Sequence, residues 1–271
     1  MIEQQFSLLM CVCAADSPSH FNLALRSVIE HQMKKPDEAV LVVDGEVDSE
    51  VFKIIETVFF EIPIDHQVIK NEGRMGLAFS LNRGLEYCSR DWVARMDADD
   101  IAMPERFSEQ MSYLARNPSV AVLGSSVREF GSVAKERDKV AITEADLIRK
   151  NLKFRNPINH PSCIFNRQKV LSVGGYPRFE KNQDYGLWLL LAAKGYELAN
   201  LNNVLLKFRI TDNFYSKRGI RLLKHDLSVL LLQKRLGMAS LPMLAILVVL
   251  RIIFRVLPSS VLQLLYSASR K

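Results

Sequence analysis

The 271-residue chain is sparing in several respects, and each shortage narrows what it can be. Only four cysteines occur, Cys11, Cys13, Cys88 and Cys163. Cys11 and Cys13 stand two apart in an apolar run, so they share one strand face as small core residues. Metal-ligand spacing is absent, a disulfide framework is not expected, and a reduced compartment is. The opening residues, Met1 to Phe6, lack the basic segment and apolar stretch of a secretory leader. Long apolar runs are scarce too. The longest clean one, residues 236–250, contains Pro242 and falls short of the ~20 residues that a bilayer-crossing helix takes. Acidic residues are nearly missing from the C-terminal part, where residues 204–271 hold twelve Lys and Arg against two Asp and Glu. Residues 1–203 hold 24 basic and 28 acidic residues, so the net charge of +6 belongs to the tail. The tail also lacks the interleaved aromatics that stack on bases, which argues against nucleic acid as a partner.

What is present is a chain that is 48% hydrophobic, enough for a substantial core. Its first half alternates. Apolar strands are expected at residues 6–13, 39–43, 68–69 and 92–96, and helices at 22–31, through Phe52, Ile55 and Phe59, at 77–87, and from Pro104 to Arg116. Such alternation with near-continuous apolar strands predicts a largely parallel sheet covered on both faces. From Val120 to about Leu206 the pattern changes to short strands (120–123, 163–165, 204–210) among Asn- and Pro-rich loops, which predicts a mixed-sheet extension.

The strand at 92–96 runs directly into Asp97-Ala98-Asp99-Asp100. Ligands bind outside the carboxyl ends of strands in open α/β sheets. Carboxylates crowded there repel one another unless a cation lies among them, and hard divalent ions take oxygen ligands. By itself the tetrapeptide reads equally well as a solvated acidic turn.

Further features follow in order: Cys13-Ala14-Ala15-Asp16 after the first strand, Asp44-Gly45 after the second, Asn156-Pro157-Ile158-Asn159-His160-Pro161-Ser162, Gly174-Gly175-Tyr176, and Asp184-Tyr185-Gly186-Leu187-Trp188. With the acidic block, this series resembles the inverting family 2 glycosyltransferases of the GT-A fold, closest to bacterial exopolysaccharide, capsule and O-antigen enzymes. The resemblance implies an α/β, Rossmann-like nucleotide-diphospho-sugar transferase with a mixed sheet. It implies a catalytic domain over 1–212, with a nucleotide-sugar half at 1–118 and an acceptor half at 119–212. It also implies a divalent cofactor, Mn²⁺ or Mg²⁺, on Asp97 and Asp99, with Asp97 shared with the nucleotide. Cys13, Ala14, Asp16, Asp44 and Arg74 would line the nucleotide sugar, a UDP-sugar by the resemblance. Asp184 would be the catalytic base, and His160 and Arg209 would serve the diphosphate or acceptor. The alternatives are plain ones: Asp184 as a helix cap, His160 as a structural histidine, Gly174-Gly175 as a turn, and Arg209 as a surface residue. The family pattern is not followed everywhere. Cys11 and Cys13 replace the usual Pro and Tyr, a single Asp44 replaces two acids, and Gln183 replaces a Glu before the base.

Residues 213–271 read as a basic amphipathic helical tail. Leu222, Leu223, Leu227, Leu230 and Leu231 are set among Lys and Arg, and Arg251 and Arg255 lie one turn apart. An anionic membrane surface is the expected partner, with docking on the protein itself as the alternative. Together with the resemblance, this predicts a peripheral enzyme at the cytoplasmic face of a bacterial inner membrane, acting on an undecaprenyl-diphosphate-linked glycan. Two rivals carry less weight. Nucleotidyl transfer usually needs a Gly- and Lys-bearing loop, which residues 13–20 lack. An idle binding subunit would have no need to keep Asp97, Asp99 and Asp184.

Overall fold

Side-chain alternation in the first strand explains the layering of the molecule. In β1 (Phe6–Cys13), Phe6, Leu8, Met10 and Val12 enter one core while Leu9 and Cys11 enter a second on the other face. β2 (Glu38–Asp44) does the same, with Ala39, Leu41 and Val43 on one side and Val40 and Val42 on the other. A strand buried on both faces has no polar side, hence its continuous apolar reading. This computed structural model describes residues 4–131, 136–210 and 222–256.

The described residues form a nine-stranded sheet completed by β3 (Asp65–Lys70), β4 (Trp92–Met96), β5 (Ile101–Ala102), β6 (Val120–Phe130), β7 (Arg137–Lys139), β8 (Ile164–Asn166) and β9 (Glu197–Arg209). Their order is β3-β2-β1-β4-β8-β6-β9-β5, with β7 beside β6. β3, β2, β1 and β4 are parallel, whereas β8 runs antiparallel to both β4 and β6. Cys13 lies opposite Asp44, and Met10 opposite Met96. The register therefore delivers the residues after β1, β2 and β4 to one edge, the carboxyl edge at which open α/β sheets bind ligands.

Helices α1 (Pro18–Ile29), α2 (Ser49–Glu61) and α4 (Arg106–Arg116) supply Phe21, Leu25, Val58, Phe107 and Leu114 to the first core. On the opposite face lie α3 (Leu77–Tyr87), the short α5 (Ala145–Asn151) and α6 (Arg167–Ser172), and α7 (Gln183–Ala193). Trp188 of α7 is wholly buried there.

Several elements depart from the expectation for physical reasons. The helix after the acidic block begins at Arg106 rather than Pro104, because residues 101–102 first pair with Leu206 and Lys207 of β9. β6 and β9 run to 11 and 13 residues, longer than expected. Ser125 and Ser126 pair with Leu201 and Val204 in the ladder between the two strands, and the exposed Asn202-Asn203 bulge out at the register shift between them.

In the tail, α8 (Leu223–Arg235) packs on α7, and α9 (Leu241–Val256) packs on α8. α8 buries His225, Asp226, Val229, Leu230 and Gln233, so its inner face is half polar. Leu231, expected on the apolar face, points outward and is 57% exposed. Arg251 also turns inward, where its Nη2 donates to the Phe154 carbonyl at 2.8 Å. Residues 213–221 and 257–271 of the predicted tail, and the Arg255 side chain, lie outside the described residues. No helix among the described residues is long and apolar enough to cross a membrane.

Candidate active site

Three carboxylates meet past the end of β4. Ligand oxygens of Asp97, Asp99 and Asp100 lie within 4.8 Å of one another, so Asp100 joins the two residues named from the sequence. The group is held from two sides. Arg209, at the end of β9, donates from Nε to the Asp99 carbonyl at 2.7 Å and from its backbone N–H to Asp100 Oδ1 at 2.8 Å. From beneath, Arg95 Nη2 grips Asp97 Oδ1. Burial would discharge Arg95, but the charge of Asp97 outweighs it and keeps the guanidinium protonated.

Crowding is expressed in the acidities. Burial, Asp97 and Asp16 push Asp99 up to about 6, while burial, Asp97 and Asp99 raise Asp100 as well. Asp100 Oδ2 is buried without a hydrogen-bond partner. A set of hard oxygen donors with an orphaned buried oxygen and an unfavourable negative charge fits a divalent cation such as Mn²⁺ or Mg²⁺.

Around this cluster the other loops close. Cys13 donates its backbone N–H to Asp16 Oδ2 at 2.8 Å, folding Cys13–Asp16 into a tight turn that leaves Ala14 exposed. Burial raises the Asp16 carboxyl, while its hydrogen bonding with Cys13 and, more weakly, the positive charge of exposed Arg74 draw it part of the way back. Asp44 is an organiser. Its Oδ1 accepts from Asn71 Nδ2 and the Met75 N–H, both at 2.8 Å, and its Oδ2 accepts from the Gly76 N–H at 2.9 Å. These bonds prevail over burial and hold its carboxyl below the ordinary value. Asp44 thereby sets the 71–76 loop that carries Arg74. Gly45, at φ +85°, lets that loop approach closely, with Arg74 N 3.0 Å from where a Cβ would stand.

Asp184 also feels the charge of Arg95, without a hydrogen bond to it. It occupies the first turn of α7 rather than the cap position, which Asn182 takes with a left-handed φ of 61°. Its Oδ2 accepts from Asn156 Nδ2 at 2.6 Å. Burial pushes its carboxyl up, while the Tyr185 backbone N–H, Arg95 and Asn156 restrain the rise. His160, in a 3₁₀ turn (His160–Ser162), lies in the floor: 7% exposed, with Nε2 3.0 Å from the Tyr176 hydroxyl and its ring edge-on to Trp188. Burial and Arg95 draw it well below its ordinary value, so it is neutral. Tyr176 is pinned by Asn82, which accepts from its N–H and donates to its carbonyl, both at 2.8 Å. The Gly174-Gly175 turn, with φ of 88° and 73°, permits that embrace.

Sequence reasoning missed three groups. Arg95, 1% exposed, is the only charged residue of an otherwise apolar strand, and that break in pattern was its signal. Arg106, wholly buried, donates to the Arg95 carbonyl at 2.6 Å and braces β4 against α4; burial lowers it to about 10. Asn156 was read as loop composition, and nothing in the sequence pairs it with Asp184.

A half-parallel sheet, loops converging at its carboxyl edge and an acidic cluster past the end of β4 are the arrangement of a nucleotide-sugar transferase of the GT-A fold class. The family model "Glycosyl transferase family 2" matches residues 10–175, and the chain belongs to that family. The amylovoran biosynthesis glycosyltransferase AmsE of Erwinia amylovora is 34% identical over 267 residues, covering 98% of this chain and 99% of its own. An Escherichia coli UDP-Gal:α-D-GlcNAc-diphosphoundecaprenol β-1,3-galactosyltransferase is 34% identical over 217 residues, 79% of this chain and 78% of its own. Among solved structures, the mannosyltransferase PcManGT from Pyrobaculum calidifontis, in complex with GDP-Man and Mn²⁺, superposes with a TM-score of 0.69 at 17% identity. That match covers 100% of this chain and 77% of the other. S. aureus TarS 1-349 with UDP-GlcNAc gives a TM-score of 0.66 at 13% identity, over 84% of this chain and 66% of its own. The chain is therefore a glycosyltransferase that takes a nucleotide-sugar donor, and its sheet is the mixed α/β sheet of that fold.

Proposed function

We propose that the enzyme moves one sugar, with inversion, from a UDP-sugar to an undecaprenyl-diphosphate-linked saccharide during bacterial surface-polysaccharide assembly. The observation that carries this reading is the presence of two unlike carboxylate sites, a crowded acidic cluster and a single buried Asp184, both under the charge of Arg95. Asp97, Asp99 and Asp100 would hold a divalent cation, Mn²⁺ or Mg²⁺, which offsets the charge growing on the departing diphosphate. Arg209 adds positive charge at the same point. Asp184 accepts the proton of the acceptor hydroxyl as that oxygen attacks the anomeric carbon. The bond to the diphosphate breaks on the opposite side and its electron pair leaves with the nucleoside diphosphate. Asn156 steadies the unprotonated carboxylate. The turn after β1, with Cys13, Ala14 and Asp16, and the loop that Asp44 anchors, with Arg74, form the nucleotide subsite. His160 acts from beneath by holding Tyr176.

The donor and acceptor classes rest on the E. coli galactosyltransferase relative, and the polysaccharide setting on AmsE. Attachment to the cytoplasmic face of the inner membrane is supported by the tail. Among the described side chains the outer side of α9 is apolar, with Leu241, Ile246, Val249, Leu250, Ile252 and Ile253 exposed. Such a face suits shallow insertion beside a lipid-linked acceptor. The test is a screen of nucleotide sugars with Mn²⁺ and a GlcNAc-diphosphate lipid, read as release of free nucleoside diphosphate. Release from one donor, lost with chelator, supports the proposal. Tight donor binding without turnover in any combination points instead to a binding subunit.

A further inference from the structure

The two tail helices reach the loop that supports the base. Gln233 of α8 is 1% exposed, and its Nε2 lies 3.3 Å from the Leu152 carbonyl, 3.0 Å from the Lys153 carbonyl and 3.4 Å from the Tyr185 hydroxyl. Tyr185, next to Asp184, donates its own hydroxyl to the Leu152 carbonyl at 2.8 Å. Arg251 of α9 donates to the Phe154 carbonyl at 2.8 Å and lies 3.7 Å from Asp226 of α8. Three consecutive carbonyls, at 152, 153 and 154, are thus held by the tail. Two residues further on, Asn156 donates to Asp184. The Leu152 carbonyl is buried and demands a donor, the next two are progressively more open, and all three take donors from helices outside the catalytic sheet.

We infer that α8 and α9 are part of the catalytic apparatus, with Gln233 and Arg251 as positioning residues that fix residues 152–156 and so set Asn156 against Asp184. The inference rests on the reading of Asp184 as base. Displacing that carboxylate by a fraction of an ångström costs rate without touching the donor cluster, which is anchored separately by Arg95 and Arg209. The charged and titratable groups that face Asp184 are Arg95 of β4, Tyr176 after α6 and Cys163 before β8, and none of them is altered by a change in the tail.

The experiment compares full-length wild type with Gln233→Leu, Arg251→Met and Asp184→Asn. It uses the donor that the wild type turns over and a water-soluble short-chain alkyl-diphosphate GlcNAc, so that membrane binding plays no part. Gln233→Leu should lower kcat about tenfold and Arg251→Met by less. The donor KM should be unchanged, and the acid limb of the kcat profile should move upward as Asp184 loses Asn156. Arg251→Lys, which still donates, should recover part of the rate. Unchanged kcat in both tail variants, or a loss that follows melting temperature with a fixed acid limb, overturns the inference. If Gln233→Leu does not fold, Arg251→Met at its partly exposed position decides alone. Wild-type turnover by Asp184→Asn would instead remove the base reading; an inactive Asp184→Asn beside fully active tail variants removes only the role of the tail.

Discussion

The two carboxylate sites that feel the charge of Arg95 are furnished in opposite ways. On the β4 side three acids share one small volume, and the Asp99 carboxyl is pushed up to about 6 by burial and by its neighbours Asp97 and Asp16. On the α7 side a single acid sits in the first turn of a helix, where burial alone raises it and an amide, a backbone N–H and a distant guanidinium hold it back. The first arrangement is electrostatically incomplete without a cation; the second is complete and can take a proton. One buried arginine serves both, as an ion-pair partner to Asp97 and as a field on Asp184. In the proposed mechanism, unlike environments for like groups would keep a metal function and a base function apart.

That division is most easily broken at Asp99. Asp99→Ala should abolish both cation binding and turnover, with a fall in kcat/KM of about a thousandfold or more, checked by Mn²⁺ titration and by nucleoside diphosphate release. Asp184→Asn keeps shape and hydrogen bonding but cannot take the proton. Its kcat should fall by about 10²–10⁴ while donor and Mn²⁺ affinities stay at wild-type values. A variant that lost donor affinity instead would put Asp184 in the donor site.

Within the cluster, a smaller and sharper contrast concerns stability. Asp97→Asn leaves Arg95, 1% exposed, without its anionic partner, and should destabilise the chelator-treated protein by about 2 kcal/mol. Asp99→Asn removes a carboxylate that its surroundings disfavour, and should stabilise the same protein by roughly 1 kcal/mol. Urea unfolding of the two variants should therefore give midpoints on opposite sides of wild type. Midpoints shifted the same way would mean that the ion pair with Arg95 does not govern the floor.

How much of this was legible beforehand varied with how local the cause was. β1 begins at Phe6 and ends at Cys13, as an uninterrupted apolar run requires, and α3 spans Leu77–Tyr87 as its periodicity implies. The acidic block announces itself because three carboxylates after a strand need a reason. Arg106 and Asn156 do not, since their partners lie 11 and 28 positions away and only the folded sheet brings them together. α5 and α6 are too short to carry a clear period, and Pro104 misled because the pairing of residues 101–102 with β9 is a tertiary event. In the tail the periodicity of leucines suggested Leu231 as core, whereas the inner face of α8 is built from His225, Asp226 and Gln233, polar residues whose partners are backbone and side-chain groups of other elements.

The mildest way to probe the difference between the two sites is pH, without any mutation. In the cation-free protein Asp99 holds its proton more tightly when folded than when unfolded, since its carboxyl is pushed from the ordinary 3.8 to about 6. Its contribution to stability is fully present below the unfolded value and is lost as pH rises through about 6. With chelator present, the melting temperature should therefore decline between pH 4 and pH 6 on account of this group, and flatten above. Mn²⁺ reverses the sense, because the metal competes with that proton: the stabilisation it confers should be largest at pH 7 and shrink as pH falls through 6. Asp99→Asn should lessen the decline and lose the metal response, whereas Asp184→Asn should keep the metal response. A metal response that persisted unchanged at pH 5 would show that the crowded carboxylates are not what the cation displaces a proton from.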